Sequence, residues 1–430
     1  MRNRKIVFGA IDTYKSVTKY FIEKYDIAYI VDNDPNKHGK DFYGLTIYPV
    51  EKLLEESKDE IDILVAVWSA QKEITEQLEA LGFEKNKNFF FFYESYEKNT
   101  FFDYTYWRNV KIENGKYMPI CLHIELSGVC NLKCAYCSFH GYPNIKKGHK
   151  KFITWEILKE IVKQAKEIPS FEVINACGAG EIFLHEEWFE MLQFLAKETR
   201  IPHLIMYTNG MLLGKENVEK INQLNYTRID LDVSISGQTP QENDDFRKGA
   251  SYTIIKENLL NAIRYLDRDK VSLAIGNNYV VDKELIEKSG YTVPNNIPVA
   301  EFIKEDFKDI TKTGWLTHVS PNKDGELPKS ECFEFVKVFN PCGTSCVNLF
   351  TTIAVDCEGN YLKCSVAETE LFYRNNIMDR NMLETFQEDE QLQSDRRLRM
   401  ELGDPEFCKC CHACAEGFYI PVAVSNVIKF

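Results

Sequence analysis

The sequence predicts an α/β protein made of two successive parallel sheets and a cysteine-rich C-terminal extension. Three observations carry this. Short apolar runs alternate with helical patterns from Lys5 to about Tyr93. The same alternation restarts at Ile120 and repeats about six times. All 14 cysteines lie beyond residue 120, and they crowd toward the C-terminus. Alternating strands and helices imply parallel strands covered on both faces. At 430 residues, two or three domains are expected. The expected division is a small parallel sheet over 1–95, an aromatic-rich linker over 96–119, a partial barrel over 120–325, and the extension over 330–430.

In the first domain Ile6-Val7-Phe8 reads as a strand ending at Gly9, and Val17 to Tyr25 as a helix. Ile27 to Val31 is a second strand, closed by Asp32-Asn33-Asp34-Pro35, which is turn chemistry. Pro49 to Glu56 reads as helical, with proline at the start where a missing N–H costs little. Ile63 to Trp68 is a third strand, Gln71 to Leu81 a helix stopped by Gly82, and Phe89 to Phe92 a strand. Barrel strands are expected at Cys121–Ser127, Glu172–Ala176, His203–Tyr207, Arg228–Ile235, Val271–Ile275 and Val299–Ile303. In a partial barrel of this TIM type, chemistry sits at the C-terminal ends of the strands. From about Cys332 the periodicity weakens, as in segments held by clusters rather than by a large core.

Charge and hydropathy exclude some functions. The net charge is −13, and no basic stripe argues for nucleic acid as a partner. No run of about 18 apolar residues is present to span a membrane. The basic start, Met1 to Lys5, is followed by an apolar stretch that ends at Asp12, too short for a signal peptide. The expectation is a soluble, cytoplasmic protein. In that compartment thiols stay reduced, so tightly spaced cysteines point to metal or cluster ligation rather than disulfides.

Immediately after the first barrel strand stands Cys130-Asn131-Leu132-Lys133-Cys134-Ala135-Tyr136-Cys137. Three thiolates at this spacing can converge on one compact cluster from a single loop. Thiolates are the soft ligands that iron–sulfur clusters take. Three ligands leave one iron of a cubane open, as catalytic metal centres do. The competing reading is a zinc knuckle with His140 nearby.

This motif resembles the signature of the radical S-adenosylmethionine superfamily, including the aromatic Tyr136 before the last cysteine. The resemblance implies that Cys130, Cys134 and Cys137 hold a [4Fe–4S] cluster whose open iron binds S-adenosylmethionine. Further landmarks follow in order over residues 118–320. Cys177-Gly178-Ala179-Gly180-Glu181 is similar to the family's glycine–glycine–glutamate turn, so Gly180 and Glu181 would meet the methionyl end. Thr208-Asn209-Gly210 resembles the end of the third strand, and Asp232 to Gly237 that of the fourth, where Ser234 would reach the ribose. Ser236 stands where the family carries an aspartate.

Cys346, Gly359 and Cys364 resemble the opening of the SPASM extension, or of its shorter twitch form. Gly359 lies in a hairpin-like turn that would bring Cys346 and Cys364 together. Cys408, Cys411 and Cys414 offer two overlapping pairs, 408 with 411 and 411 with 414, and Cys342 is a further candidate. The resemblance implies one auxiliary [4Fe–4S] cluster, with zinc as the competing occupant.

Other residues are less specific. Cys121, His123, Glu125 and Ser127 alternate on one face of the first barrel strand, toward either a substrate or a polar core. Asp230, Asp232 and Ser234 alternate similarly. Cys177 is the one candidate catalytic residue, as a thiol that donates hydrogen, against the bland reading of a buried structural cysteine. The first domain resembles the small Rossmann-like module fused to enzymes of surface-polysaccharide assembly, through Lys5 to Ala10 and Ile30 to Gly39. Asp32 falls where an acidic ribose partner would, but one glycine replaces the three of a dinucleotide fingerprint, and Asp12 would face a pyrophosphate.

The resemblance implies reductive cleavage of S-adenosylmethionine, driven by a flavodoxin- or ferredoxin-type donor, to a 5′-deoxyadenosyl radical that abstracts hydrogen from substrate. The first-domain likeness favours a sugar, nucleotide-sugar or glycan-linked small molecule, oxidised or epimerised. The alternatives are peptide maturation and a non-catalytic iron–sulfur electron carrier.

Overall fold

The computed structural model describes residues 4–10, 18, 21–22, 25–67, 71–85, 87–91, 111–137, 139–141, 151–279, 299–316, 333–339, 348–362, 372–394, 396 and 417–423. Two compact units form, Met1–Asn109 and Val110–Phe430.

The first unit is one sheet of β1 (Arg4–Phe8), β2 (Ile27–Val31), β3 (Asp41–Phe42), β4 (Leu45–Tyr48), β5 (Ile61–Val65) and β6 (Phe89–Phe91). Their order is β3-β4-β2-β1-β5-β6, parallel except for the β3–β4 pair. The central strands carry apolar residues on both faces because both faces are covered. Ile6, Ile63 and Phe89 pack on one side, and Val7, Ile30 and Leu64 on the other. Helix α1 (Gln71–Ala80) stops at Gly82, whose φ of +85° ends it. The expected helix at Pro49–Glu56 is a 3-10 helix, Val50–Glu55. Its buried residues, Val50 and Leu53, are three apart, which matches a three-residue turn. The helix expected at Val17–Tyr25 lies mostly outside the described residues.

The second unit opens with a hairpin, β7 (Lys111–Glu113) and β8 (Lys116–Met118). Its strands then run β9 (Cys121–Ile124), β10 (Lys133–Cys134), β11 (Val173–Ala176), β12 (His203–Thr208), β13 (Arg228–Ser236), β14 (Arg247–Lys248), β15 (Val271–Tyr279), β16 (Thr311–Leu316), β17 (Phe333–Phe339), β18 (Thr352–Val355), β19 (Asn360–Leu362), β20 (Phe372–Asn376) and β21 (Gly417–Ala423). Interleaved are α2 (Trp155–Ala165), α3 (Trp188–Thr199), α4 (Lys215–Gln223), α5 (Pro240–Phe246), α6 (Tyr252–Tyr265), α7 (Glu301–Asp306), α8 (Asn348–Thr351) and α9 (Met382–Glu388). Strands β9, β11, β12, β13, β15 and β16 are parallel neighbours in that order, which is the expected partial barrel.

Two features depart from expectation. The sixth strand is β16, while Val299–Ile303 runs into helix α7. Ala300 at its N-cap, Ile303 within it and Phe307 at its C-cap are buried, a helical and not an alternating spacing. Beyond the barrel, β18 pairs in parallel with β9 and continues antiparallel through β19 and β20, so one sheet of nine strands results. The turn between β18 and β19 has Gly359 at φ +85°, and Asp356 Oδ1 accepts the N–H groups of Glu358 and Asn360. Cys346 and Cys364, which this hairpin was expected to join, lie outside the described residues, as do Cys408, Cys411 and Cys414. No helix among the described residues is long and apolar enough to cross a membrane.

Candidate functional site

The loop after β9 carries the three cysteines, and backbone pairing holds it in place. β10 pairs antiparallel with β14, with Cys134 opposite Arg247. Ala135 N–H donates to Phe246 O at 2.7 Å, and Cys137 N–H to Cys134 O at 3.0 Å. Sulfur accepts from nearby amides, His140 N–H to Cys137 Sγ at 3.3 Å and Leu132 N–H to Cys130 Sγ at 3.5 Å.

The turn after β11 docks directly on this loop. Gly180 N–H donates to Ser127 O at 2.9 Å, and Glu181 N–H to Val129 O at 2.8 Å. The approach explains the glycine: a Cβ at position 180 would lie 2.3 Å from Val129 O and 2.4 Å from Ser127 O. Glu181, buried, caps the short helix at Ile182–Leu184 and ties down the next strand end. It accepts Thr208 Oγ1 and Asn209 N–H, each at 2.8 Å. Burial raises its pKa above the ordinary carboxylate value. A carboxylate has about four acceptor positions, so capacity remains for a cationic ligand. Asn209 in turn donates Nδ2–H to Asn131 Oδ1 at 2.8 Å, within the cysteine loop.

Tyr136, the aromatic of the motif, hydrogen-bonds through its hydroxyl to Ser236 Oγ at the end of β13. Ser236, where the resembled family carries aspartate, thereby anchors the cysteine loop. Ser234 offers its carbonyl to Arg247 Nη1.

Arg247 escaped the sequence reading. It is 2% exposed and also donates to Asn209 O at 3.4 Å. Burial opposes its charge, but Cys134 and Tyr136 outweigh that and raise its pKa. Its Nε finds no acceptor. The only local sequence signal was a basic residue directly after the acidic helix α5; its pairing with Cys134 is a long-range fact.

These residues surround one cavity of about 140 Å³, lined by Cys130, Gly180, Glu181, Asn209, Ser234 and Arg247, with Cys177 and Tyr207 on its wall. Burial and the neighbouring Glu125, Glu181 and Asp232 carboxyls push the Cys177 thiol up to about 12. Burial lifts Cys130 to about 11 and raises Cys137. Among the described residues no three His, Cys, Asp or Glu side chains gather tightly enough for a single metal ion. His185 is consumed structurally, through Ile153 O and Glu187 N–H.

Residues 124–287 match the family model described as the radical SAM superfamily. These residues form a radical S-adenosylmethionine domain. Such a domain takes S-adenosylmethionine and a [4Fe–4S] cluster, and the residues here suit them: three cysteines on one loop with Cys130 on the cavity wall, a backbone cradle at Gly180, and an unpartnered buried donor on Arg247. Residues 1–89 match the family described as C2185-like, N-terminal. The chain is 24% identical to the FeMo cofactor biosynthesis protein NifB of Methanocaldococcus jannaschii over 253 residues, covering 52% of this chain and 78% of NifB. It is 25% identical to a GTP 3′,8-cyclase of Alkaliphilus oremlandii over 33% of this chain and 43% of the cyclase. It is 26% identical to the mycofactocin maturase MftC of Mycolicibacterium smegmatis over 35% of this chain and 37% of the maturase. The chain thus spans less than half the length of those two relatives. Similar solved structures include anSMEcpe with AdoMet and a peptide (17% identity, TM-score 0.48, 70% of this chain and 89% of that one). BtrN with AdoMet and 2-DOIA is another (14%, TM-score 0.44, 69% and 92%).

In the first unit, Asp32 is already committed. Its carboxylate accepts Ala10 N–H at 2.8 Å, Lys37 Nζ at 3.0 Å and Asp34 N–H at 2.8 Å.

Proposed function

We propose that the chain abstracts a hydrogen atom from a C–H bond of a sugar, nucleotide-sugar or glycan-linked small molecule, which it oxidises or epimerises. The observation that carries the hydrogen-abstraction reading is the convergence of Cys130, Glu181, Asn209, Ser234 and Arg247 on one cavity beside the cysteine loop. Cys130, Cys134 and Cys137 would hold the cluster. When bound, the cluster and S-adenosylmethionine together supply a 5′-deoxyadenosyl radical. Glu181 would accept from the amino group of S-adenosylmethionine, Arg247 would donate to its carboxylate, and Ser234 would face its ribose. Tyr136, fixed by Ser236, would hold the loop against β13. Cys346 and Cys364, with two of Cys408, Cys411 and Cys414, would hold the auxiliary cluster that removes an electron from the substrate.

The runner-up is peptide maturation, favoured by the similarity to the mycofactocin maturase. Perdeuterated sugars and nucleotide-sugars, against perdeuterated peptides, separate the two. Deuterium reaching 5′-deoxyadenosine from a sugar supports the first reading. Transfer only from peptide replaces it with the second.

A further inference from the structure

Three consecutive amides of the glycine turn are met by alternate residues of the segment that leads into the cysteine loop. Ala179 N–H donates to Glu125 Oε2 at 2.8 Å, Gly180 N–H to Ser127 O at 2.9 Å, and Glu181 N–H to Val129 O at 2.8 Å. Of these three rungs, only the first is made by a side chain. Glu125 is buried, directly after β9, and also presses on the turn. A Cβ at Gly178 would lie 2.3 Å from Glu125 Cγ and 2.7 Å from its Oε2. The turn therefore rests on the Glu125 side chain at two successive residues.

The same side chain touches the C-terminal extension. Ile124 stands beside Val355 in the pairing of β9 with β18, and Glu125 N–H donates to Val355 O at 3.0 Å. Two residues on, the Cys357 thiol, 1% exposed, hydrogen-bonds to the Glu125 carboxyl. Burial, followed by that carboxyl, raises the thiol's pKa, so the sulfur keeps its proton and acts as donor. Cys357 opens the turn between β18 and β19, which Asp356 pins through the amides of Glu358 and Asn360. One buried carboxyl thus has one partner on the glycine turn and another on the extension. Displacing either partner shifts the group that the other relies on, which is the condition for energetic coupling. Gly178, Gly180 and Glu181 line the cofactor cavity, while Glu125 and Cys357 do not. Any effect of these two residues on a ligand in that cavity runs through the turn.

We propose that Glu125 is a positioning residue, through which the β18–β19 hairpin of the extension sets the glycine turn that receives S-adenosylmethionine. This rests on the placement of S-adenosylmethionine proposed above and not on the identity of the substrate.

The test is equilibrium dialysis of S-adenosylmethionine against full-length, anaerobically reconstituted protein, with melting temperatures measured on the same samples. Glu125→Ala should bind at least about tenfold more weakly, because a buried hydrogen bond to the turn is lost. Glu125→Gln should recover to within about threefold of the wild type, since its amide oxygen still accepts from Ala179 N–H. Cys357→Ala should bind about threefold more weakly in the wild-type background and lose nothing further in the Glu125→Ala background. Ile221→Ala, in the core under α4, is the control for stability alone: it should melt lower with unchanged affinity. A Glu125→Ala variant that melts lower yet binds as the wild type does would overturn the proposal, leaving Glu125 a structural residue. So would Cys357→Ala with wild-type affinity, or with the same loss in both backgrounds. Should Glu125→Ala fail to fold, the affinity of Cys357→Ala decides alone. If affinity follows Glu125 in this way but deuterium reaches 5′-deoxyadenosine from no sugar, the proposed substrate fails and this inference stands. A wild type that binds no S-adenosylmethionine refutes the cofactor placement and this inference together.

Discussion

Gly180→Ala tests how the glycine turn holds the cysteine loop. The new Cβ would lie 2.3 Å from Val129 O, 2.4 Å from Ser127 O and 2.6 Å from Val129 N. All three are backbone atoms, so no side chain can swing away. Either the loop or the turn must retreat by roughly 1 Å, an ordinary contact being no shorter than about 3.4 Å. That movement breaks the bonds from Gly180 N–H to Ser127 O and from Glu181 N–H to Val129 O. Two backbone hydrogen bonds are worth about 1 kcal/mol each, and overpacking adds about 1–3 kcal/mol. The total is about 3–5 kcal/mol, a fall of roughly 5–10 °C in melting temperature. Glu181 moves with the turn, so affinity for S-adenosylmethionine should fall at least tenfold, or about 1.4 kcal/mol. Gly214→Ala is the control: it sits at a helix N-cap with φ −74°, and its nearest neighbour is Asn258 Oδ1 at 4.0 Å. Its effect should stay within about 1 kcal/mol. Calorimetric melting and equilibrium binding read both variants. Gly180→Ala protein with wild-type melting and wild-type affinity would refute the reasoning.

Three further outcomes are expected. Burial raises the Asp232 pKa to about 6 in the fold, against about 3.9 unfolded. Its ionised form is therefore destabilising: the cost is absent below pH ~4, grows between the two values and is full above pH ~6, at most roughly 2–3 kcal/mol. Asp232→Asn should melt higher than wild type at pH 8, with the gain vanishing at pH 4; an equal gain at both would exclude this cause. Arg247→Lys keeps the charge but not the fork that reaches both Ser234 O and Asn209 O. Affinity for S-adenosylmethionine should drop about tenfold, and unchanged binding by equilibrium dialysis would remove Arg247 from the site. Full-length protein should bind neither NAD nor NADP at micromolar concentration in calorimetry, because Asp32 is spent on Ala10, Asp34 and Lys37; micromolar affinity would contradict that.

Much of the architecture was legible because it is local. The apolar runs of β1, β5 and β6 and the helix stop at Gly82 follow from nearest-neighbour chemistry. The Cys130–Cys137 spacing and the order of strand-end motifs carried the family. Val299–Ile303 misled because five apolar-leaning residues cannot distinguish a strand from a buried helical turn; Phe307, outside that window, decides for the helix. Arg247 was invisible because its partners, Asn209, Ser234 and Cys134, are set by register across three separate segments. Glu125 was half legible: the alternation put it on one face of the strand, but its partners, Ala179 and Cys357, are a property of the packed sheet. The joining of β18 to β9 also required tertiary structure, since 228 residues separate Ile124 from Thr352.

The central claim is that the Cys130, Cys134 and Cys137 loop drives radical formation from S-adenosylmethionine. The most direct measurement is 5′-deoxyadenosine formation by the reconstituted, dithionite-reduced full-length protein, with iron counted on the same sample. Wild type should carry about eight irons per chain as two cubanes and release 5′-deoxyadenosine with methionine. Replacing all three cysteines by alanine should leave about four irons and abolish the product. A triple variant that still forms 5′-deoxyadenosine, or a wild type that binds zinc and no iron, would contradict the account.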